Sequence, residues 1–450
     1  MKNLENSLGR PLALAGTAFV VRLVYVLLFP GGEYFEGISS SYVHVIDNML
    51  SGHGITTYVD VAPLSSPERS FVYEPFVDRP LGYLFLIFLP YAFSGSILAV
   101  QILHASLAAA SVLLLRFIGG EWFGARIGTR AAWLYAVWPL AARFEVTVLP
   151  DAVMPFFLLA VLALLQKAVR GPSQILLAGA AGTVLGVGLT MRPDILLLPL
   201  FLLIGFWLPK RAIPSFGALG AFAAGLLIML GVHTIRNYQV TGGKIAPLGL
   251  GNGISMWEGI SQFGDTLGTL YGDTRLAQKE GYPTWAYPNG VERDRARFAE
   301  AVEILSENPG FSAVLVLRRI PVIVTVDGIM TTSYAQSLGE YLREDRGRTV
   351  VSYAIDHPLA LAVRAVTAAL HLVTILLAFV ALRWHRALPA VWIPFLVIFY
   401  YIAIHLPTNT EARYLYPVIP LLLLLTSVAW THIHELIPRA GAREHHDPGL

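Results

Sequence analysis

Long apolar runs separated by short basic connectors restrict this chain to a bundle of membrane-crossing helices. A helix needs roughly 20 apolar residues to cross the hydrocarbon of a bilayer. About ten runs approach that length on a hydropathy reading. They are 11–30, 96–118, 130–148, 151–168, 174–191, 194–209, 214–232, 359–382, 388–405 and 415–432. Lipid offers no partner to a free backbone amide, so such runs must close their hydrogen bonds internally as helix. Of the 450 residues, 55% are hydrophobic and 14% charged. A soluble domain carries about a quarter charged residues. The expected fold is all-α and polytopic.

The connectors give the sidedness. Arg116, Arg126 and Arg130 surround one, Lys167 and Arg170 another, Lys210 and Arg211 a third, and Arg383 and Arg386 a fourth. Lys2 and Arg10 precede the first run, and Arg439 and Arg443 follow the last. Counting crossings puts all of these on one side. Basic connectors stay cytoplasmic, so both termini are expected inside a plasma (inner) membrane. The first run lacks a small-x-small cleavage site and reads as an uncleaved span. The net charge of +2 averages over two compartments and indicates no partner; nothing points to nucleic acid. The absence of cysteine excludes thiolate nucleophiles, cysteine zinc sites and disulfides.

Three stretches fit no simple crossing. Residues 80–95 are apolar but short, and a crossing there would invert every later connector. Residues 311–326 are broken by Arg318, Arg319 and Pro321. Both read as interfacial helices. The third runs from about His233 to Asn308, is rich in Gly, Pro and aromatics, and ends in an amphipathic helix near Glu292–Glu307. Loops this long are uncommon without a role, so it is expected to cover a site. The organisation is therefore an N-terminal module over 1–232 with a first outer loop at 31–95, an outer cover over 233–358, and C-terminal spans over 359–450.

Polar groups gather at the outer ends of these spans. The first loop carries Glu33, Glu36, Asp47, Asp60, Glu68, Glu74 and Asp78, with one arginine before Arg79. Later ends add Glu145 and Asp151, Arg192 and Asp194, Arg236-Asn237-Tyr238, and Glu411 with Arg413 and Tyr414. Taken singly, each has a plain explanation. An arginine at a helix end commonly snorkels, Arg-Pro stops a helix, Glu411 and Arg413 form a local pair, and Tyr and Trp anchor interfaces. Together they favour a site, because independent snorkelling would not mix acids and arginines on one face. Guanidinium groups match phosphate oxygens and stay charged, and a carboxylate beside them could take a proton from an incoming hydroxyl. The 12 histidines show no metal-ligand spacing. No cofactor is expected to be required; a divalent cation on outer carboxylates stays open.

At these residues the chain resembles the GT-C glycosyltransferases, in particular the group of protein O-mannosyltransferases and the lipid A aminoarabinose transferase. The resemblance rests on Glu36 to Tyr42, Asn48 to Gly54, Asp78-Arg79-Pro80 to Tyr83, and Asp151. It continues through Arg192, Arg236-Asn237-Tyr238, Glu307-Asn308-Pro309 with Arg318-Arg319, and Arg413-Tyr414 to Pro417. The acid that the family places shortly before the tyrosine falls here at Ile38 and Ser39; the nearest acids are Glu36 and Glu33. Where the zinc-binding relative has a loop histidine, this chain has Glu258 in Met256-Trp257-Glu258-Gly259.

The resemblance implies inverting transfer of a sugar from a polyprenyl-phosphate donor, on the outer face, to a lipid, glycan or protein acceptor. It implies Glu36 or Glu33 as base, with Asp78 and Asp151 orienting acceptor, metal or base. It puts the donor phosphate on Arg79, Arg192, Arg236 and Arg413. The substrate pocket would be walled by Tyr42, Tyr83, Asn237, Tyr238, Trp257, Glu258, Glu411 and Tyr414. The alternatives are a transporter or flippase of a lipid-linked substrate, and a lipid-binding GT-C-like protein without activity. Inverted repeats and mid-membrane charges mark transporters; the charges here read as lying at span ends.

Overall fold

A computed structural model describes residues 11–28, 40–170, 173–207, 215–264, 266–324, 341, 348–385 and 389–436. Glu33 and Glu36 lie outside the described residues. The chain begins with α1 (Pro11–Leu28) and α2 (Ser40–Leu50), then an antiparallel hairpin of β1 (Thr56–Asp60) and β2 (Phe71–Pro75). Next come α3 (Gly82–Ser94), α4 (Ile97–Phe123), α5 (Ala125–Val137), α6 (Pro139–Glu145), α7 (Pro150–Arg170) and α8 (Gln174–Leu189). A 3-10 turn (Pro193–Ile195) leads to α9 (Leu198–Trp207) and α10 (Phe216–Val240). The long cover holds α11 (Asn252–Ile260), α12 (Asp273–Lys279), α13 (Gly290–Glu307) and α14 (Pro309–Val324). The chain returns through α15 (Val350–Asp356), α16 (Pro358–His385), α17 (Pro389–His405), a second 3-10 turn (Ala412–Val418) and α18 (Ile419–Leu436).

Among the described residues, five helical segments are long and apolar enough to cross a membrane: Ile97–Phe123, Pro150–Val169, Phe216–Val240, Ala365–Arg383 and Arg413–Thr431. Shorter apolar helices stand at Pro11–Leu27, Gly82–Ser94, Gln174–Leu189, Pro193–Phe206 and Ala390–His405. The molecule is a multi-pass membrane protein. The expected short helices at 80–95 and 311–326 appear as α3 and α14, and the amphipathic one as α13. The hairpin in the first loop is an addition to the all-α expectation. Its strands pair Tyr58 with Tyr73 and Val59 with Val72, so alternate residues face opposite sides.

The expected span over 130–148 is broken. Pro139 cannot donate a backbone hydrogen bond, so α5 stops at Val137 and α6 restarts with proline in its first turn. The break removes the residue-139 donor from the Tyr135 carbonyl, which keeps only a long bond from Trp138 N–H at 3.3 Å. Arg22 of α1 replaces the lost donor: its Nη2 donates to the Tyr135 carbonyl at 3.1 Å and its Nη1 to that of Ala136. Its Nε donates to Glu145 at 2.7 Å, and the Tyr135 hydroxyl donates to the same carboxylate. This pair lies inside the bundle and corrects the reading that charges sit only at span ends.

α8 packs along α10 with almost no side chain between them. A Cβ on Gly182 would stand 2.0 Å from the Phe222 carbonyl oxygen, and one on Gly225 2.5 Å from that of Gly179. Such close backbone approach is what small residues provide in membranes, where packing rather than water drives association. Gly182→Leu is expected to cost about 1–3 kcal/mol or more of stability through overpacking, read as a lower melting temperature in detergent.

Candidate active site

One large cavity of about 700 Å³ opens where the first loop, the helix ends and the cover meet. Its floor comes from the first loop. Tyr42 of α2 is buried edge-on against Phe76 and Tyr83, with ring centroids 5.8 and 5.1 Å apart. Its hydroxyl donates to the Pro80 carbonyl at 3.3 Å, fixing the Asp78-Arg79-Pro80 segment. Beyond it, Leu81 N–H donates to His233 Nε2 at 3.0 Å and Gly82 N–H to the Thr190 carbonyl at 2.7 Å. The segment is thus bolted to the end of α8 and to the last two turns of α10. Asp78 Oδ1 and Arg79 Nε have no hydrogen-bond partner among the described residues. Burial pushes the Asp78 carboxyl up to about 6, against the opposing pull of Arg79.

The far wall is a charged network. Arg192, at the end of α8, contacts Asp151 at the start of α7 and reaches Asp194 Oδ2 at 2.7 Å. His405, at the end of α17, meets Asp194 at 3.2 Å and stacks on Tyr414, centroids 4.3 Å apart. Four segments are therefore tied at one point. Beside them, Arg413 Nε lies 2.8 Å from Glu411, whose carboxylate also accepts from the Tyr414 hydroxyl at 3.1 Å. The cover supplies the roof. Glu258 of α11 accepts from Gly272 N–H at 2.8 Å and hydrogen-bonds Asp273 of α12. Burial and the Asp273 charge push Glu258 up to about 8.

Nine of the sequence-derived candidates line this cavity: Tyr42, Asp78, Arg79, Asp151, Arg192, Glu258, Glu411, Arg413 and Tyr414. Others stand outside its lining. Arg236 donates to the carbonyls of Phe76 at 2.6 Å and Ile55 at 3.3 Å, so its guanidinium holds the base of the hairpin. Asn237 donates to the Ala246 carbonyl at 2.8 Å, and Tyr238 is 50% exposed. Tyr83 sits below Tyr42 and hydrogen-bonds His104 at 3.2 Å. Trp257 packs in the core of the cover, with Lys279 Nζ 4.6 Å from its ring centroid. The cavity also takes Asp194, which the sequence placed among the outer polar groups without a role, and Tyr271, Asp273, His405 and Asn409, which it assigned none. Asp194 was legible in the Arg192-Pro193-Asp194 run; Asp273 had no cue beyond its place in the cover.

Six carboxyl groups, from Asp78, Asp151, Asp194, Glu258, Asp273 and Glu411, face three guanidinium groups, from Arg79, Arg192 and Arg413. Arg192 is balanced twice over and Arg413 once. Arg79 has an unpartnered Nε among the described residues and sits beside Asp78, whose Oδ1 is also unpartnered. Among the described residues no three His, Asp or Glu groups are grouped to hold a metal ion.

The order of the helices is similar to that of solved membrane proteins with the GT-C fold. The oligosaccharyltransferase of Archaeoglobus fulgidus, solved in the apo form, superposes with a TM-score of 0.50 at 13% identity, covering 95% of this chain and 51% of that one. The same protein in complex with Zn and sulfate gives 0.50 at 12%, over 94% and 49%. This chain spans about half the length of that oligosaccharyltransferase. ArnT of Cupriavidus metallidurans bound to undecaprenyl phosphate aligns over 93% of this chain and 77% of its own, at 13% identity with a TM-score of 0.39. In sequence, residues 78–235 match the dolichyl-phosphate-mannose-protein mannosyltransferase family. The match begins at Asp78 and takes in Arg79, Asp151 and Arg192. No curated protein sequence matches the chain.

Proposed function

We propose that the protein is a glycosyltransferase that moves a sugar from a polyprenyl-phosphate donor to an acceptor hydroxyl on the outer face of the membrane. The observation that carries this reading is the Asp78-Arg79 pair, both with unpartnered polar atoms, at one side of a cavity walled by further arginines. The family matching this segment is named for a dolichyl-phosphate-mannose donor. Arg79 binds the donor phosphate, with Arg413 on the far wall of the same cavity. The acceptor oxygen attacks the anomeric carbon as the bond to the phosphate oxygen breaks. The electron pair leaves with the polyprenyl phosphate, and the acceptor proton passes to a carboxylate. Among the described residues Asp78 is the carboxyl best suited to take it. Asp151 and Asp194 fix Arg192 behind the reacting centre.

Purified protein supplied with polyprenyl-phosphate mannose and membrane acceptors from a strain lacking the gene should form a mannosylated product. Asp78→Asn should cut turnover about 10²–10⁴-fold, the range for loss of a positioned base. Full activity in Asp78→Asn, with loss in Glu33→Gln or Glu36→Gln, would move the base to the first loop. Solute exchange in liposomes with no covalent product would replace the reading with a transporter.

The rate should also depend on pH on both sides. It rises through about pH 6 as Asp78 ionises. It falls above about 8 as Glu258 ionises and repels the phosphate. Glu258→Gln should remove the falling limb and leave the rising one. Stability has its own sign: both carboxyls titrate higher folded than unfolded, so each disfavours the fold increasingly as pH rises from its unfolded value to its folded one.

A further inference from the structure

The roof helix α11 is gripped at both ends by charges suited to its dipole. At its N-terminus, Oδ1 of Asp294 from α13 accepts from the backbone N–H groups of Gly251, Gly253 and Ile254, at 3.2, 3.0 and 3.2 Å. At its C-terminus, Arg319 of α14 donates through Nη2 to the Gly259 carbonyl, through Nη1 to the Leu406 carbonyl at 2.8 Å, and through Nε to Gln262 at 3.0 Å. A carboxylate at the positive end and a guanidinium at the negative end is the favourable polarity. Asp294 is 7% exposed and Arg319 2%, and no carboxylate pairs with Arg319 among the described residues. Both ends are also closed sterically. A Cβ on Gly253 would stand 1.9 Å from the Asp294 carbonyl oxygen, and one on Gly259 2.2 Å from that of Thr408.

We propose that Asp294 and Arg319 are positioning residues that fix the rotation and register of α11, and so hold the Glu258 carboxyl against Asp273 at the cavity wall. The Glu258 carboxyl accepts from Gly272 N–H, next to Asp273, and burial with that neighbouring charge favours its neutral form. The roof therefore turns a neutral hydrogen-bonding group toward an anionic donor where an unpaired carboxylate would repel it. The groups facing Glu258 are Asp273 of α12, Tyr271 before it, and Glu411 with Arg413 on the opposite turn. Its importance at the site rests on the sugar-transfer reading above. Its direct test does not.

The test is infrared titration of the protonated-carboxyl band in full-length protein held in lipid nanodiscs, with gel filtration and circular dichroism to confirm folding. The wild type should lose one such band near pH 8, and Glu258→Gln should lack it, which assigns it. Asp294→Ala and Arg319→Gln should each lower that midpoint by about one unit or more, toward the ordinary carboxyl value. Asp294→Asn keeps the acceptor oxygen and should stay near the wild type. If Asp294→Ala does not fold, Arg319→Lys, which keeps the charge and loses the fork, carries the same test. A wild-type midpoint in folded Asp294→Ala and Arg319→Gln overturns the proposal, as does an unchanged band in Glu258→Gln. Failure of sugar transfer in the wild type would count against the proposed reaction and leave this result standing.

Discussion

Replacing Arg22 by methionine is expected to destabilise the fold by about 3–5 kcal/mol, the usual loss when one partner of a buried ion pair is removed. Arg22 is fully buried, and its guanidinium serves four acceptors: the Glu145 carboxylate and the carbonyls of Tyr135, Ala136 and Ala18. Its loss strands the carboxylate in the bundle and reopens the backbone gap that Pro139 creates. Glu145→Gln should be milder, because the cation keeps its carbonyl acceptors. The double variant Arg22→Met, Glu145→Leu should recover part of the loss, since a packed apolar pair can replace a buried ionic one. Thermal unfolding in detergent, followed by size-exclusion fluorescence, measures all three. An unchanged melting temperature in Arg22→Met would show that the pair is not holding the broken helix.

That pair also marks where sequence reasoning stopped. Apolar runs located the helices closely, because length and hydropathy are local properties. The run at 214–232, for instance, became Phe216–Val240. The extension to Val240 carries His233, Arg236 and Asn237, polar residues that bond to neighbouring loops rather than end the helix. Arg22 escaped notice because its partner is 123 residues away. The site was legible as a set of helix ends, and less so as a set of directions. Arg192 and Arg236 look alike in sequence, each one turn or less from a span end. One faces the cavity and the other turns to backbone carbonyls of the hairpin, a choice made by packing alone. The pairing of Glu258 with Asp273 depends on how α11 is clamped, and that is a tertiary fact.

Arg79→Gln is expected to slow transfer about 10²–10³-fold, the scale set by removing one preorganised group that stabilises developing negative charge. Its effect on folding should be small, since Arg79 Nε has no hydrogen-bond partner to strand among the described residues. Arg192→Gln should behave in the opposite way. Asp151 and Asp194 both lean on Arg192, and His405 leans on Asp194. Removing the guanidinium leaves two buried carboxylates facing each other, so the fold should lose about 3 kcal/mol or more. The two arginines carry the same charge in one cavity, and what separates them is prior commitment. A cation already balanced by two carboxylates has little field left for a phosphate; one that faces a single carboxyl keeps more of its own. Arg79→Lys tests the same point, because it keeps the charge without the fork and should retain part of the rate. Turnover and melting temperature measured together on these variants decide it. A stable, slow Arg192→Gln beside an unstable, fully active Arg79→Gln would reverse the assignment and put the donor phosphate on the far wall.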